Sequence, residues 1–109
     1  MTYSQSLADR IRRVLGGRKG IVCKQMFGGI GFLLDGNLLV GVWKTSLIAR
    51  IGPERYAAAL QQPHVREFDI TARPMKGWVL VEAEGVDDDG QLREWIEQAT
   101  EFVAALPAK

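Results

Sequence analysis

Nucleophilic or metal chemistry in this chain would have to be built from one cysteine and one histidine, because Cys23 and His64 are the only residues of their types among 109. A Cys–His pair works when the imidazole takes the thiol proton and leaves a thiolate nucleophile. Nothing in the local sequence couples His64, set among Gln62, Pro63 and Arg66, to Cys23. A Ser-His-Asp arrangement would draw on Ser4, Ser6 or Ser46, and none of these stands in the G-x-S-x-G setting of a nucleophile elbow. No H-x-x-x-H or C-x-x-C spacing suits zinc, and a single cysteine excludes an internal disulfide. Cys23, between Val22 and Lys24, reads as a small half-buried strand residue. The triplet Asp87-Asp88-Asp89 offers oxygen ligands of the kind a divalent cation takes. Its place ahead of a long amphipathic pattern reads instead as helix capping and dipole complement. No acid–base pair has an evident reason for a perturbed pKa. The expectation is a non-enzymatic protein with no catalytic residues, no metal and no cofactor.

Binding chemistry has more to work with. Lys24, Arg50, Arg73 and Lys76 all lie on or beside predicted strands. If they face one side of a sheet they converge on an anion-binding pocket walled by Met26, Phe27, Met75 and Trp78. The same four cations also suit ordinary solvated strand positions. A second group, Arg10, Arg12, Arg13, Arg18 and Lys19, clusters at the end of the first predicted helix and is a candidate interaction surface. The net charge of +1 lacks the basic excess of a nucleic-acid binder, so direct DNA binding is not expected. No apolar run reaches the roughly 18–20 residues of a membrane helix. The N-terminus passes at once into Asp9, Arg10, Arg12 and Arg13 without the apolar segment of a signal peptide. A cytoplasmic protein with no membrane association is expected.

The elements that must hold these residues follow from periodicity. Leu7, Ile11, Val14 and Leu15 form one stripe of a helix over residues 4–15, which Gly16-Gly17 ends. Strands are predicted over 21–26, 30–34, 38–43 and 47–51, with Asp35-Gly36-Asn37 as a hairpin turn. Residues 38–43 are apolar on both faces and predict a central strand; Arg50 is expected to face away from Leu47, Ala49 and Ile51. Pro53 and Glu54 open a short helix whose inner side is Tyr56, Ala59 and Leu60. Extended segments follow over 67–71, with Phe68 and Ile70 inward, and over 78–83. Leu92, Trp95, Ile96, Ala99, Phe102, Val103 and Leu106 then mark a long final helix. Gly28, Gly29 and Gly31 suit a bulge or tight β connection better than a phosphate loop, which needs strand-loop-helix order. The order α-β-β-β-β-α-β-β-α with tight turns predicts one α+β domain over residues 1–109. It has two layers, an antiparallel sheet covered by the N- and C-terminal helices plus one short helix. Hydrophobic residues at 47% and charged residues at 25% are ordinary for such a domain.

The cluster Met26-Phe27-Gly28-Gly29, then Gly31, the Asp35-Gly36-Asn37 turn and Leu47-Ile48-Ala49-Arg50 resemble the N-terminal domain of the TfoX/Sxy family of competence regulators. Gly52-Pro53-Glu54, Pro63-His64, Asp69 and Arg73-Pro74-Met75-Lys76-Gly77, with the closing helix of Leu92 and Trp95, are similar to small stand-alone members of that family. The resemblance spans roughly residues 5–106. It implies an α/β domain with an antiparallel sheet, and bacterial, cytoplasmic relatives that act as coactivators with the cyclic-AMP receptor protein at competence promoters. It carries no catalytic residues across. The full-length regulators add a C-terminal helical domain, which is not expected here.

The expected function is a regulatory or interaction module, possible in transcription regulation, that acts through a protein partner. The alternative is a small anionic-ligand-binding domain using Lys24, Met26, Phe27, Arg50, Arg73, Met75 and Lys76. An uncovered sheet edge would also permit a homodimer.

Overall fold

The computed structural model describes residues 3–26, 28–68 and 75–108. Helix α1 (Gln5–Leu15) begins where the Ser4 hydroxyl accepts the Leu7 N–H at 3.1 Å. It stops at Gly16, whose φ of 54° a side chain would resist. Four strands follow as an antiparallel meander: β1 (Ile21–Met26), β2 (Gly29–Leu34), β3 (Asn37–Trp43) and β4 (Ser46–Arg50). Asp35 and Gly36 join β2 to β3 with φ of 52° and 87°. Both values are positive, as a tight type I′ hairpin requires, and Asp-Gly accepts them readily. Helix α2 (Pro53–Leu60) starts from Gly52, and β5 (Val65–Glu67), β6 (Trp78–Val81) and helix α3 (Asp89–Ala104) complete the order. The sheet runs β1-β2-β3-β4-β6-β5, antiparallel throughout. This is the expected α+β arrangement, with β3 in the interior of the sheet. Among the described residues no helix is long and apolar enough to cross a membrane.

The main core lies between one face of the sheet and the stripes of α1 and α3. Leu7, Ile11, Leu92, Trp95 and Val103 meet Phe32, Val40, Val42, Leu47, Ala49 and Val79 there. A bulge between Phe32 and Leu33 lets Phe32 pair with Val40 and Leu33 with Leu38. Leu39 is the extra residue, and Leu39 and Val40 are both fully buried in the helix-side core. The bulge is why β3 reads as apolar on both faces. Tyr56, Ala59 and Leu60 of α2 pack on this core as expected.

Helix α3 carries its own start signal. The Asp88 carboxylate accepts the Gly90 and Gln91 N–H groups at 2.9 and 3.2 Å, and the Gln91 side chain accepts the Asp88 N–H at 3.1 Å. This reciprocal capping box satisfies three otherwise orphaned donors. Arg10 ties α1 to the same corner through Asp89 at 3.1 Å and the Val86 carbonyl at 2.7 Å. Two of the three aspartates therefore have structural work, as the capping reading expected.

Three details differ from the sequence reading. The extended segment expected over 67–71 begins earlier, at Val65, because Val65, Arg66 and Glu67 pair with Val81, Leu80 and Val79. Phe68 is buried as expected; Ile70 lies outside the described residues. The strand expected over 78–83 ends at Val81, where a turn of 3-10 helix takes over. Cys23 is exposed rather than half-buried, since β1 is an edge strand with neighbours on one side only.

The glycine cluster is a packing device. Gly28 has φ of 76° and turns the chain, with open space where a Cβ would stand. Gly29 passes so close to the β3 backbone that a Cβ would strike the Val42 carbonyl oxygen. Gly31 lies beneath Met26 and Leu38, whose atoms would come within 2.8 Å of an added Cβ. Gly28→Ala is thus expected to cost about 1 kcal/mol from left-handed backbone alone. Gly29→Ala is expected to cost about 3 kcal/mol, since backbone must move. Urea unfolding of both variants checks the order, and equal stabilities would refute it. By the same measurement, Asp88→Ala is expected to lose about 1 kcal/mol with the cap.

Candidate functional site

Both long helices lie on one face of the sheet, so residues of the opposite parity point to the other face. Register places Lys24, Gly31, Gly41, Ile48, Leu80 and Arg66 in one row across that helix-free face. Ile48, Leu80 and Phe68 are buried at its centre and form a second, smaller cluster. Trp43, Met75 and Trp78 pack around them and stay half-buried, as do Met26, Leu33 and Leu38 nearer β1. The Phe68 and Trp78 rings stand 6.0 Å apart at 32°. The Lys44 ammonium sits 4.6 Å over the Trp43 ring, and Lys24 and Lys76 are exposed at the margins.

Arg50 marks one end of this face. Its guanidinium lies 4.9 Å from the Trp78 ring centre and 5.7 Å from that of Phe102 on α3. It has no ion pair or hydrogen bond among the described residues. Burial pulls its pKa below the ordinary arginine value but leaves it charged in any physiological buffer. Phe102 also lines a neighbouring cavity of about 300 Å³ with Gly52, Pro53, Ala105 and Leu106. Two carboxylates, Glu54 and Glu101, lie on the same cavity, and Arg55 is paired to Glu101 at 3.2 Å. Charge there does not favour an anion.

The facing of Arg50 away from Leu47, Ala49 and Ile51 agrees with expectation, and Lys24 shares its face. The two do not meet: β1 and β4 are three strand spacings apart, about 14 Å, and Arg50 is two residues further along. Met26 pairs with Gly29 at one end of the sheet, whereas Trp78 pairs with Arg50 at the other. Met75 joins Trp78, and Lys76 stands in the exposed turn before it. Phe27 and Arg73 lie outside the described residues. The described members of the expected pocket therefore divide between two corners.

The second basic group is also divided. Arg10 is committed to Asp89 and Val86. Arg12 pairs with Asp9 at 2.8 Å, donates to the Cys23 sulfur at 3.7 Å and lies 5.7 Å from the Phe32 ring centre. Arg13 and Arg18 border a shallow groove with Arg93, Glu97 and Glu101, and Lys19 is exposed in the loop.

Sequence reasoning missed Leu33, Leu38, Trp43 and Phe68 as parts of the helix-free face. Trp43 carried a signal, because it has the parity opposite to Val42 on a strand whose other face is buried. The pairing of Arg50 with Phe102 carried none, since 52 residues of chain separate them. Arg50→Met is expected to lower stability by about 1 kcal/mol through loss of both cation–ring contacts. Arg50→Lys should recover only part of it; wild-type stability for the methionine variant in denaturant titration would refute the assignment.

The geometry can be set beside known proteins. Comparison with curated proteins and with solved structures gives no match. A family model described as the TfoX N-terminal domain matches residues 13–103, from the last turn of α1 through the whole sheet to the last turn of α3. With most of its length so matched, the chain belongs to the TfoX N-terminal domain family.

Proposed function

We propose that this domain is a non-enzymatic regulatory module that docks a protein partner on the helix-free face of its sheet. Family membership supports a transcription-related partner, in the manner of cytoplasmic competence regulators. The observation that carries the reading is the state of that face: Trp43, Met75 and Trp78 are half-buried around Ile48, Leu80 and Phe68, Met26 and Leu38 are half-buried over Gly31, and Lys24, Lys44 and Lys76 are exposed on the same side of the chain's outer surface. An apolar centre with aromatic and methionine side chains and a charged rim is the composition of a recognition surface. The non-enzymatic part is supported by the placement of Cys23 and His64. They stand at opposite edges of the sheet, five strand spacings or about 24 Å apart.

The test is affinity capture from lysate of the native host. Immobilised wild-type protein is expected to retain RNA polymerase or a transcription factor. Trp43→Glu and Met75→Glu, which keep the helix-side core intact, are expected to weaken that capture by about tenfold or more. No retained partner, or equal retention by both variants, removes the reading.

A small anionic ligand is the second reading, favoured by Arg50 lying between two rings without an ion pair among the described residues, with Lys76 in the adjoining turn. Phosphate, nucleotides and acyl phosphates at millimolar concentration would then raise the melting temperature of the wild type and not of Arg50→Met. An absence of any shift eliminates it.

A further inference from the structure

Strand β1 is an edge of the sheet and is six residues long, with neither proline nor bulge. Its hydrogen-bond phase follows from one contact: the Asp35 N–H donates to the Gly20 carbonyl at 3.0 Å. Gly20 and Asp35 continue the β1–β2 register, so Gly20, Val22, Lys24 and Met26 turn their backbone groups toward β2. Ile21, Cys23 and Gln25 then present three N–H and three C=O groups outward, and no described residue pairs with them. Val22 is the one exposed large hydrophobic among the described residues, at 59%. The opposite edge is managed differently. β5 has three residues, two of them charged, and Arg66 lies 3.8 Å from Glu82. Short, charged strands are how proteins blunt an edge, and β1 has only Lys24 for the purpose.

We propose that β1 pairs antiparallel with β1 of a second copy, with Cys23 opposite its own equivalent. The outward phase restricts the registers, because outward residues must face outward residues. Of these registers, the one centred on Cys23 pairs Ile21 with Gln25, Cys23 with Cys23 and Gln25 with Ile21, and so satisfies all six outward groups. The inward-phase residues then oppose one another as Val22 and Lys24. The one charged side chain of the strand thus faces a valine, and its aliphatic stem covers that exposed side chain. Arg12, beside Cys23, brings its charge already paired to Asp9. A strand with several charges of one sign would repel its copy; this one is self-complementary. The contact is isologous and closes at two copies. It is also small, so association is concentration-dependent. The proposal uses the sheet edge and is independent of the partner reading of the helix-free face.

Sedimentation equilibrium over a range of concentrations, with amide hydrogen exchange on the same samples, tests it. The mass is expected to rise from 12.1 kDa toward twice that value. The amides of Ile21, Cys23 and Gln25 should gain protection with concentration, while those of Val22, Lys24 and Met26 stay protected throughout. Cys23→Pro removes one outward N–H and leaves the β1–β2 ladder intact, so it should remain a monomer. Val22→Lys places a lysine across from each Lys24 at an exposed position, where the fold tolerates it, and should weaken the dimer about tenfold. A monomer at every concentration overturns the proposal. So does a dimer whose Ile21, Cys23 and Gln25 amides exchange freely, or one that Val22→Lys leaves unchanged.

Discussion

Antiparallel strands alternate their side chains, so each residue that α1 and α3 cover on one face of this sheet leaves its neighbour on the other. The two helices supply enough apolar surface for one face: Ile11, Leu92, Ile96 and Ala99 are fully or almost fully buried against it. The opposite face must be dried without a helix. Side chains are withdrawn from it at Gly31 and Gly41, which pair directly across β2 and β3. Where side chains remain, larger ones shelter them, as Trp43, Met75 and Trp78 shelter Ile48 and Leu80. A face closed in this way keeps its outer layer half in water.

The glycine-rich sequence features belong to the same economy of space. Gly29 allows β2 to run against the Val42 carbonyl, and Gly31 makes room for Met26 and Leu38. Far along the chain, the Gly77 carbonyl accepts the N–H groups of both Ile51 and Gly52 at 2.9 and 3.1 Å. A Cβ on Gly77 would press on the Gly52 backbone at 3.2 Å, and one on Gly52 would meet the Phe102 ring at 2.5 Å. That corner fixes the start of α2, the start of β6 and the ring on which Arg50 rests. A motif that looks like a ligand loop in one dimension is here the means by which backbones approach closely.

Local pattern made most of the fold legible. The stripes of α1 and α3, the Asp35-Gly36 hairpin, Pro53 at the head of α2 and the facing of Arg50 all depend on residues within a turn or a strand of one another. What stayed hidden depends on strand order. That β6 inserts between β4 and β5 is not written in any local spacing, yet it decides which residues neighbour Arg50. That β1 is an edge decides the exposure of Cys23, whose place between Val22 and Lys24 in a strand-like run suggested half burial. The commitment of Arg10 to Asp89 closes 79 residues of chain. Lys24 and Arg50, both on strands, do share a face. A shared face is no sign of a shared pocket, because parity says nothing about how many strands lie between.

Methionine is the residue to weigh when this face is judged as a recognition surface. Met26 lies over Gly31, and Met75 packs on the Ile48 cluster, each where a rigid branched side chain would have filled a fixed shape. An unbranched thioether can change rotamer and follow a partner at little cost. Beneath this adaptable layer, Ile48, Leu80 and the glycine row are buried and form a rigid floor. A surface that is soft outside and rigid beneath accepts an apolar ligand surface without disturbing the helix-side core. The helix-side core is then the same whether or not this face is covered.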